Sequence, residues 1–181
     1  MFATQENLQL LSESESWFAD GTFAASPKLF RQVYTVHAYV QGDVVPLVFF
    51  CLPEKTEINY RRAFQALKAP FLGQFNPQKL MADFENAAIN AFTAEFPGIV
   101  PTGCFFHLRQ NIQKQVQMAG LVPAQNNDLQ FASFLKHMAG VAFFPVNEVV
   151  DVCEEFFDPT HADFDACAQP VIDYFEQWYI G

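Results

Sequence analysis

The pattern of apolar and polar residues in the first third of the chain predicts three β-strands. Residues 16–23 are predicted as a strand that carries Asp20 near its C-terminal end, and Gln32–Val40 and 44–52 are rich in β-branched, aromatic and other apolar side chains. Gly42-Asp43 separates the second run from the third, as expected of a tight hairpin turn. Because consecutive strands with short connections pair as antiparallel neighbours, this region predicts a three-stranded antiparallel sheet.

Helical and extended patterns alternate after the predicted hairpin. Tyr60, Phe64 and Leu67 recur at helical spacing, and Thr56 stands where an N-cap belongs. Prolines and glycines separate the later segments. The predicted helices are 5–11, 57–68, 85–96, 108–118, 129–143, 146–157 and 168–180, and the two further strands are 79–82 and 99–106.

The order of these elements predicts the fold class. Three antiparallel strands followed by helix, strand, helix, strand and helix is the order of the RNase H-like fold, an α/β fold with a mixed five-stranded sheet and flanking helices. We therefore expect this core over residues 17–119. A helix and lead-in occupy 1–16, and an all-helical segment occupies 120–181.

Composition permits a folded domain and limits its partners. Of 181 residues, 51% are hydrophobic and 22 are phenylalanine, which is enough for a core and predicts extra apolar surface that faces more chain or a partner. No N-terminal charged-then-apolar signal and no apolar run as long as a membrane span appear, so no membrane partner is expected. Four cysteines without a CxxC pair indicate a reducing, intracellular compartment.

The charge balance argues against DNA binding by phosphate contacts alone. The formal net charge is −10, from 10 Lys and Arg against 20 Asp and Glu. Cations that could touch phosphate occur on two predicted helices, but so few are more simply explained as solvated helix faces. They are Arg61, Arg62, Lys68, Arg109 and Lys114. The acidic cluster Asp151, Glu154, Glu155 and Asp158 has the same simple explanation.

Two aspartates stand at the ends of predicted strands. Asp20 lies near the end of the first strand and Asp83 directly follows the fourth. In the predicted fold these strands are neighbours, so the two carboxylates fall side by side. Adjacent carboxylates favour a cation between them, and Mg²⁺ or Mn²⁺ is the ion that prefers oxygen ligands. Taken singly, each aspartate is also explained as a turn or cap residue.

Cys104 and His107 form a C-x2-H pair where the fifth strand meets the next helix. This spacing is half of a zinc site, but no second Cys or His pair stands at a matching distance, so zinc is not expected. A core cysteine beside a hydrogen-bonded histidine is the simpler explanation. His37, in the middle of an apolar strand, is interpreted as a packed residue rather than a ligand.

Three short motifs occur in order along the chain: Asp-Gly-Thr-Phe at 20–23, Asp-Phe-Glu at 83–85 and Cys-Phe-Phe-His at 104–107. With the segments around them, they closely resemble the Mutator-like (MULE) transposase domain, from about residue 17 to residue 181. The resemblance implies a DDE-type enzyme that cleaves and joins DNA at transposon ends.

In that family pattern, Asp20 and Asp83 are the first two catalytic, metal-binding acids, and Mg²⁺ or Mn²⁺ is the cofactor. Cys104 and His107 are the C/H motif between the second and third acids; they could orient the active-site helix or contact DNA. The resemblance also implies DNA as partner through regions largely outside this chain, a nuclear location, and a possible homo-oligomer of the full-length protein.

The third acid of the resemblance, a glutamate after a helical insertion, has no clear counterpart. Glu176, in the last predicted helix, is a weak candidate outside the expected motif. We therefore expect a chain truncated before the third acid and inactive by itself. Two alternatives stay open: a domesticated, non-catalytic module that binds DNA or protein, and another RNase H-like nuclease whose final acid is Glu176 or Glu155.

Overall fold

The computed structural model describes residues 1–22, 24, 26–70, 74–157 and 168–181. The chain divides into two compact units, Met1–Cys104 and Phe105–Gly181, here called the sheet unit and the helical unit. Phe23 of the first motif and Asp158 of the acidic cluster lie outside the described residues.

The sheet unit is built on a mixed five-stranded sheet with the strand order β3-β2-β1-β4-β5. The first three strands pair antiparallel, and β1, β4 and β5 pair parallel. This confirms the predicted mixed α/β sheet with three antiparallel strands first. Its elements are α1 (Gln5–Glu13), β1 (Ser16–Thr22), β2 (Gln32–Val40), β3 (Asp43–Leu52), α2 (Glu57–Lys68), β4 (Lys79–Ala82), α3 (Asn86–Glu95) and β5 (Val100–Gly103).

The hairpin turn lies one residue earlier than predicted. Gln41 and Gly42 are the two turn residues, with φ of 51° and 102°, and Asp43 already pairs with Val40. Two consecutive residues with positive φ are what a type I′ turn requires, and they match the twist of the strands. The prediction of Gly42-Asp43 was therefore wrong by one position.

Alternate residues of the strands form one wall of the sheet unit's core. Trp17 and Leu80 are buried on neighbouring strands, and Phe64 of α2 and Phe92 of α3 are buried beside them in the same cluster. The Phe64 and Phe92 ring centroids are 4.1 Å apart. Burying a large apolar side chain contributes about 1.5–3 kcal/mol, so this aromatic cluster anchors the helices that flank the candidate site.

The fifth strand is shorter than predicted, because β5 ends at Gly103 and a helix begins at Phe105. The helical unit then contains α4 (Phe105–Met118), α5 (Val122–Asn127), α6 (Leu129–Gly140), α7 (Val149–Phe156) and α8 (Gln169–Phe175). The prediction missed α5 since Pro123 was interpreted as a separator. Proline suits the first turn of a helix, where its missing N–H has no intrahelical partner.

Aromatic and aliphatic side chains fill the core of the helical unit. Phe134 on α6, Val171 and Phe175 on α8, and Met138 on α6 are all buried in one cluster. The unit also contains 3₁₀ turns at Val141–Phe143 and Val146–Glu148 and a π-helical turn at Glu176–Ile180. Across the described residues, every helix is too short or too polar to span a membrane.

Candidate functional site

Asp20 and Asp83 follow a matched pair of residues on neighbouring strands. β1 and β4 run parallel, and Ala19 pairs with Ala82 at the end of their register. Asp20 is the next residue on β1, and Asp83 is the next residue after β4; both are half-buried. The structure therefore places the two predicted acids on or directly after neighbouring strands, each one position beyond the last pair of the β1–β4 register.

Cys104 directly follows the neighbouring strand β5, next to the position of Asp83. β5 pairs parallel with β4, with Gly103 opposite Ala82, and the Cys104 N–H donates to the Ala82 carbonyl over 2.8 Å. The thiol-bearing residue thus follows β5 as Asp83 follows β4. The C/H motif spans the border between the units: His107, half-buried, lies in the first turn of α4.

The glycine after Asp20 leaves room for a buried amide. The Gly21 N–H donates to Oδ1 of Asp20 over 2.8 Å, which orients that carboxylate. A Cβ on Gly21 would lie 2.5 Å from Oε1 of Gln32, and Gln32 is fully buried on β2. A larger residue at position 21 would therefore displace Gln32.

Gln32 begins a chain of hydrogen bonds that ends beside Asp83. Its Nε2 donates to the hydroxyl oxygen of Tyr60 on α2. The Tyr60 hydroxyl donates to Oε1 of Glu85 over 2.6 Å, and Lys55 Nζ donates to Oε2 of the same carboxylate over 2.6 Å. Since Glu85 stands two residues after Asp83 and at the N-cap of α3, this network fixes the segment that carries the second aspartate.

Several acidic side chains lie close to the buried tyrosines Tyr34 and Tyr60. Burial raises the pKa of Tyr34 well above its usual value, and the charges of Asp83, Glu85 and Asp20 raise it further. Burial and the hydrogen bond to Glu85 also raise the pKa of Tyr60. Both phenols therefore stay protonated at neutral pH.

His37 on β2 interacts electrostatically with Asp20. It pairs with Phe18 on β1, two residues before Asp20. Burial lowers the pKa of His37, while the Phe18 backbone and the charge of Asp20 act in the opposite direction. The half-buried imidazole is thus held neutral in the sheet at neutral pH.

The remaining candidate acids lie in the helical unit. Glu176 is exposed at the start of the terminal π-helical turn, where its charge adds to burial in raising the pKa of Cys153. Glu155 is exposed on α7. Among the described residues, no three His, Cys, Asp or Glu side chains are grouped closely enough to hold a metal ion.

Sequence reasoning missed the buried network. Glu85 was noted only as part of a motif, and Lys55, Tyr60 and Gln32 carried no spacing signal that links strand to helix. Two of the three cations of α2 are engaged elsewhere: Arg61 and Lys68 pair with Glu95 over 3.1 and 2.7 Å.

The comparisons with known proteins point to one family. The family model of the MULE transposase domain matches residues 16–111, which is just over half of the 181-residue chain and contains β1 to β5. No curated protein matches the chain.

Proposed function

The chain belongs to the MULE transposase domain family, and on that basis we propose that its sheet unit is the catalytic core of a DNA transposase of RNase H-like fold. Asp20 and Asp83 would be two ligands of the divalent cations used for DNA cleavage and strand transfer at transposon ends. The single observation that carries the proposal is the parallel register that ends in Ala19 opposite Ala82, because it makes the two aspartates neighbours.

The residues present suit a hard divalent cation. Asp20 and Asp83 supply carboxylate oxygens, the ligands that Mg²⁺ and Mn²⁺ prefer, and one Asp83 oxygen, Oδ1, is buried. The pKa of the buried Tyr34 phenol is raised partly by these acids, which is the electrostatic sign of a place that attracts positive charge. A bound cation would supply Lewis-acid activation of an attacking water or 3′-hydroxyl.

The chain's own residues position the two acids. The Gly21 N–H orients the Asp20 carboxylate, and Glu85, held by Tyr60 and Lys55, anchors the turn after Asp83. Fixed carboxylates lose less conformational freedom when a ligand binds, which raises affinity. We propose that the Gln32–Tyr60–Glu85–Lys55 network serves this purpose.

The proposal is tested by titrating the purified chain with Mn²⁺ in a calorimeter, which measures the heat of binding. We expect saturable binding that Asp20→Asn and Asp83→Asn each weaken by about tenfold or more, since each removes one charged ligand of the shared ion. Asp43→Asn is the matched control, because Asp43 is exposed at the start of β3. Equal Mn²⁺ affinity in the wild type and all three variants would contradict the proposal.

A non-catalytic interaction module is the second candidate function. The exposed phenylalanines favour it: Phe106 and Phe143 of the helical unit are 66% and 74% exposed, which is unusual for large apolar side chains. Recovery of a protein partner that survives Asp20→Asn, with no Mn²⁺ binding by the wild type, would select the module over the enzyme.

A further inference from the structure

The basic residues of the helical unit line a single groove. Arg109, Lys114 and Lys136 are the lysines and arginines between residues 105 and 181. The first two lie on α4 and the third on α6. All three line a groove of about 730 Å³ that is bounded by these helices.

The groove separates positive from negative charge within a unit rich in acids. None of the described acidic residues lines it. Asp128, which is close to Lys136 in sequence, instead accepts hydrogen bonds from the N–H groups of Gln130 and Phe131 at the start of α6. The groove is therefore positive although the chain as a whole carries −10.

The three cations are available to an external anion. Arg109, Lys114 and Lys136 are exposed, and none of them forms an ion pair with another described residue. The ion pairs of the described chain are made by cations of the sheet unit, namely Lys55, Arg61 and Lys68. An anion entering the groove would thus meet charges that are not already neutralised.

The shape and lining favour a long anion with flat apolar groups. Arg109 and Lys114 are five residues apart on α4, or about 7.5 Å along the helix axis, so the groove offers its charges at separate positions rather than at one point. Phe105 and Phe106 also line the groove, and Phe106 is 66% exposed. Separate cations beside exposed aromatic rings are the usual means of holding a nucleic-acid strand, by phosphate contacts and base stacking.

We propose that this groove binds the phosphate backbone of a single DNA strand, with Arg109, Lys114 and Lys136 as the phosphate contacts and Phe106 as a stacking surface. The choice of DNA as the polyanion rests on the proposed function; the existence of a polyanion site rests on the groove alone.

The test is fluorescence anisotropy of a labelled single-stranded oligonucleotide with the full chain, at about 50 mM salt and with EDTA present. We expect Arg109→Gln/Lys114→Gln/Lys136→Gln to weaken binding by about tenfold or more and to reduce the salt slope by about 2, at roughly 0.7 per lost phosphate contact. Lys28→Gln/Arg31→Gln/Lys79→Gln is the matched control, since it removes the same charge from exposed positions of the sheet unit. Circular dichroism verifies that both variants fold.

The outcomes separate this groove from the metal site. Asp20→Asn should bind the oligonucleotide like the wild type in EDTA, and the groove variant should bind Mn²⁺ like the wild type. A wild-type chain that binds the oligonucleotide but not Mn²⁺ would count against the proposed function only. No DNA binding by the wild type, equal losses in groove variant and control, or equally effective competition by oligoglutamate would overturn the groove proposal.

Discussion

The sheet unit and the helical unit differ in which of their charged residues are grouped together. In the sheet unit, Glu85 and Glu95 are held by hydrogen bonds from neighbouring side chains, and Asp20 and Asp83 each follow the last pair of the β1–β4 register. In the helical unit, acids such as Glu155 are exposed and the cations line one groove. The contrast teaches that fixed acids are suited to chemistry at one point, whereas exposed cations are suited to a long, loosely placed ligand.

The largest expected effect compares the two cores. Phe92→Ala removes a fully buried ring that contacts Trp17, Tyr34, Phe64 and Phe96, and we expect it to destabilise the sheet unit by about 3–5 kcal/mol. Phe175→Ala is the counterpart in the helical unit. Phe175 contacts only two described rings, those of Phe157 and Tyr179.

Each unit has its own fluorescent reporter for this test. Trp17 is buried in the sheet unit and Trp178 is exposed in the helical unit, so Trp178→Phe leaves emission from the sheet unit alone. Urea unfolding in that background measures the Phe92→Ala effect. A loss below about 1 kcal/mol, against the range typical of such truncations, would contradict the packing described for Phe92.

A smaller effect compares one tyrosine hydroxyl in each unit. Tyr60→Phe removes the hydroxyl that joins Gln32 to Glu85, and we expect a cost of about 1–3 kcal/mol because buried polar groups lose their partner. Tyr179→Phe removes a hydroxyl that accepts from Asn111 Nδ2 over 3.0 Å, at a cost of about 0.5–1.5 kcal/mol. Urea unfolding measures both, and a larger cost at Tyr179 would reverse the comparison. If the network positions Asp83, Tyr60→Phe also weakens Mn²⁺ binding, whereas Tyr179→Phe does not.

A still smaller effect concerns two glycines at the candidate site. Gly21→Ala places a Cβ 2.5 Å from Gln32 Oε1, and the fully buried Gln32 must then shift away from Tyr60, at a cost of about 1–2 kcal/mol. Gly103→Ala meets the Phe84 ring at the same distance, but that ring is 36% exposed and can turn outward at lower cost. Thermal unfolding of both variants compares them; equal shifts in Tm would show that Gln32 is free to move.

The smallest expected effect is in the titration of His37. Burial lowers its pKa from the ordinary 6.5, so the unfolded chain takes up a proton more readily, and this group's contribution to stability is lost as pH falls from about 6.5 towards the folded pKa. The charge of Asp20 opposes that shift. Asp20→Asn should therefore lower the His37 pKa further, as measured by NMR titration. An unchanged or higher pKa would mean that the two groups do not interact.

Much of the sheet unit was predictable because its signals are local. The bounds of β2 follow from its β-branched and aromatic run, and those of α2 follow from helical spacing and the Thr56 cap, whose oxygen accepts from the Asn59 N–H. The end of β5 was not predictable, since an apolar run such as residues 99–106 suits a strand and a buried helix equally. Its helical part begins at Phe105.

The candidate site was predictable in part for the same reason. That Asp20 and Asp83 stand on or directly after neighbouring strands followed from the strand order of the predicted fold. The support behind it was not predictable: Gln32, Tyr60 and Glu85 meet across separate elements, and no periodicity relates them. The groove was hidden likewise, because Lys136 joins Arg109 and Lys114 only through the packing of α6 beside α4.

The β1–β4 register also affects the order of folding. β2, β3 and α2 lie between β1 and β4 in the sequence. Pairing β1 with β4 therefore closes a long loop, which costs chain entropy. The same event brings Asp20 and Asp83 together, and their like charges oppose it. Under the proposed function, a divalent cation bound by both aspartates would stabilise the β1–β4 pairing, so the unfolding midpoint should rise with cation concentration.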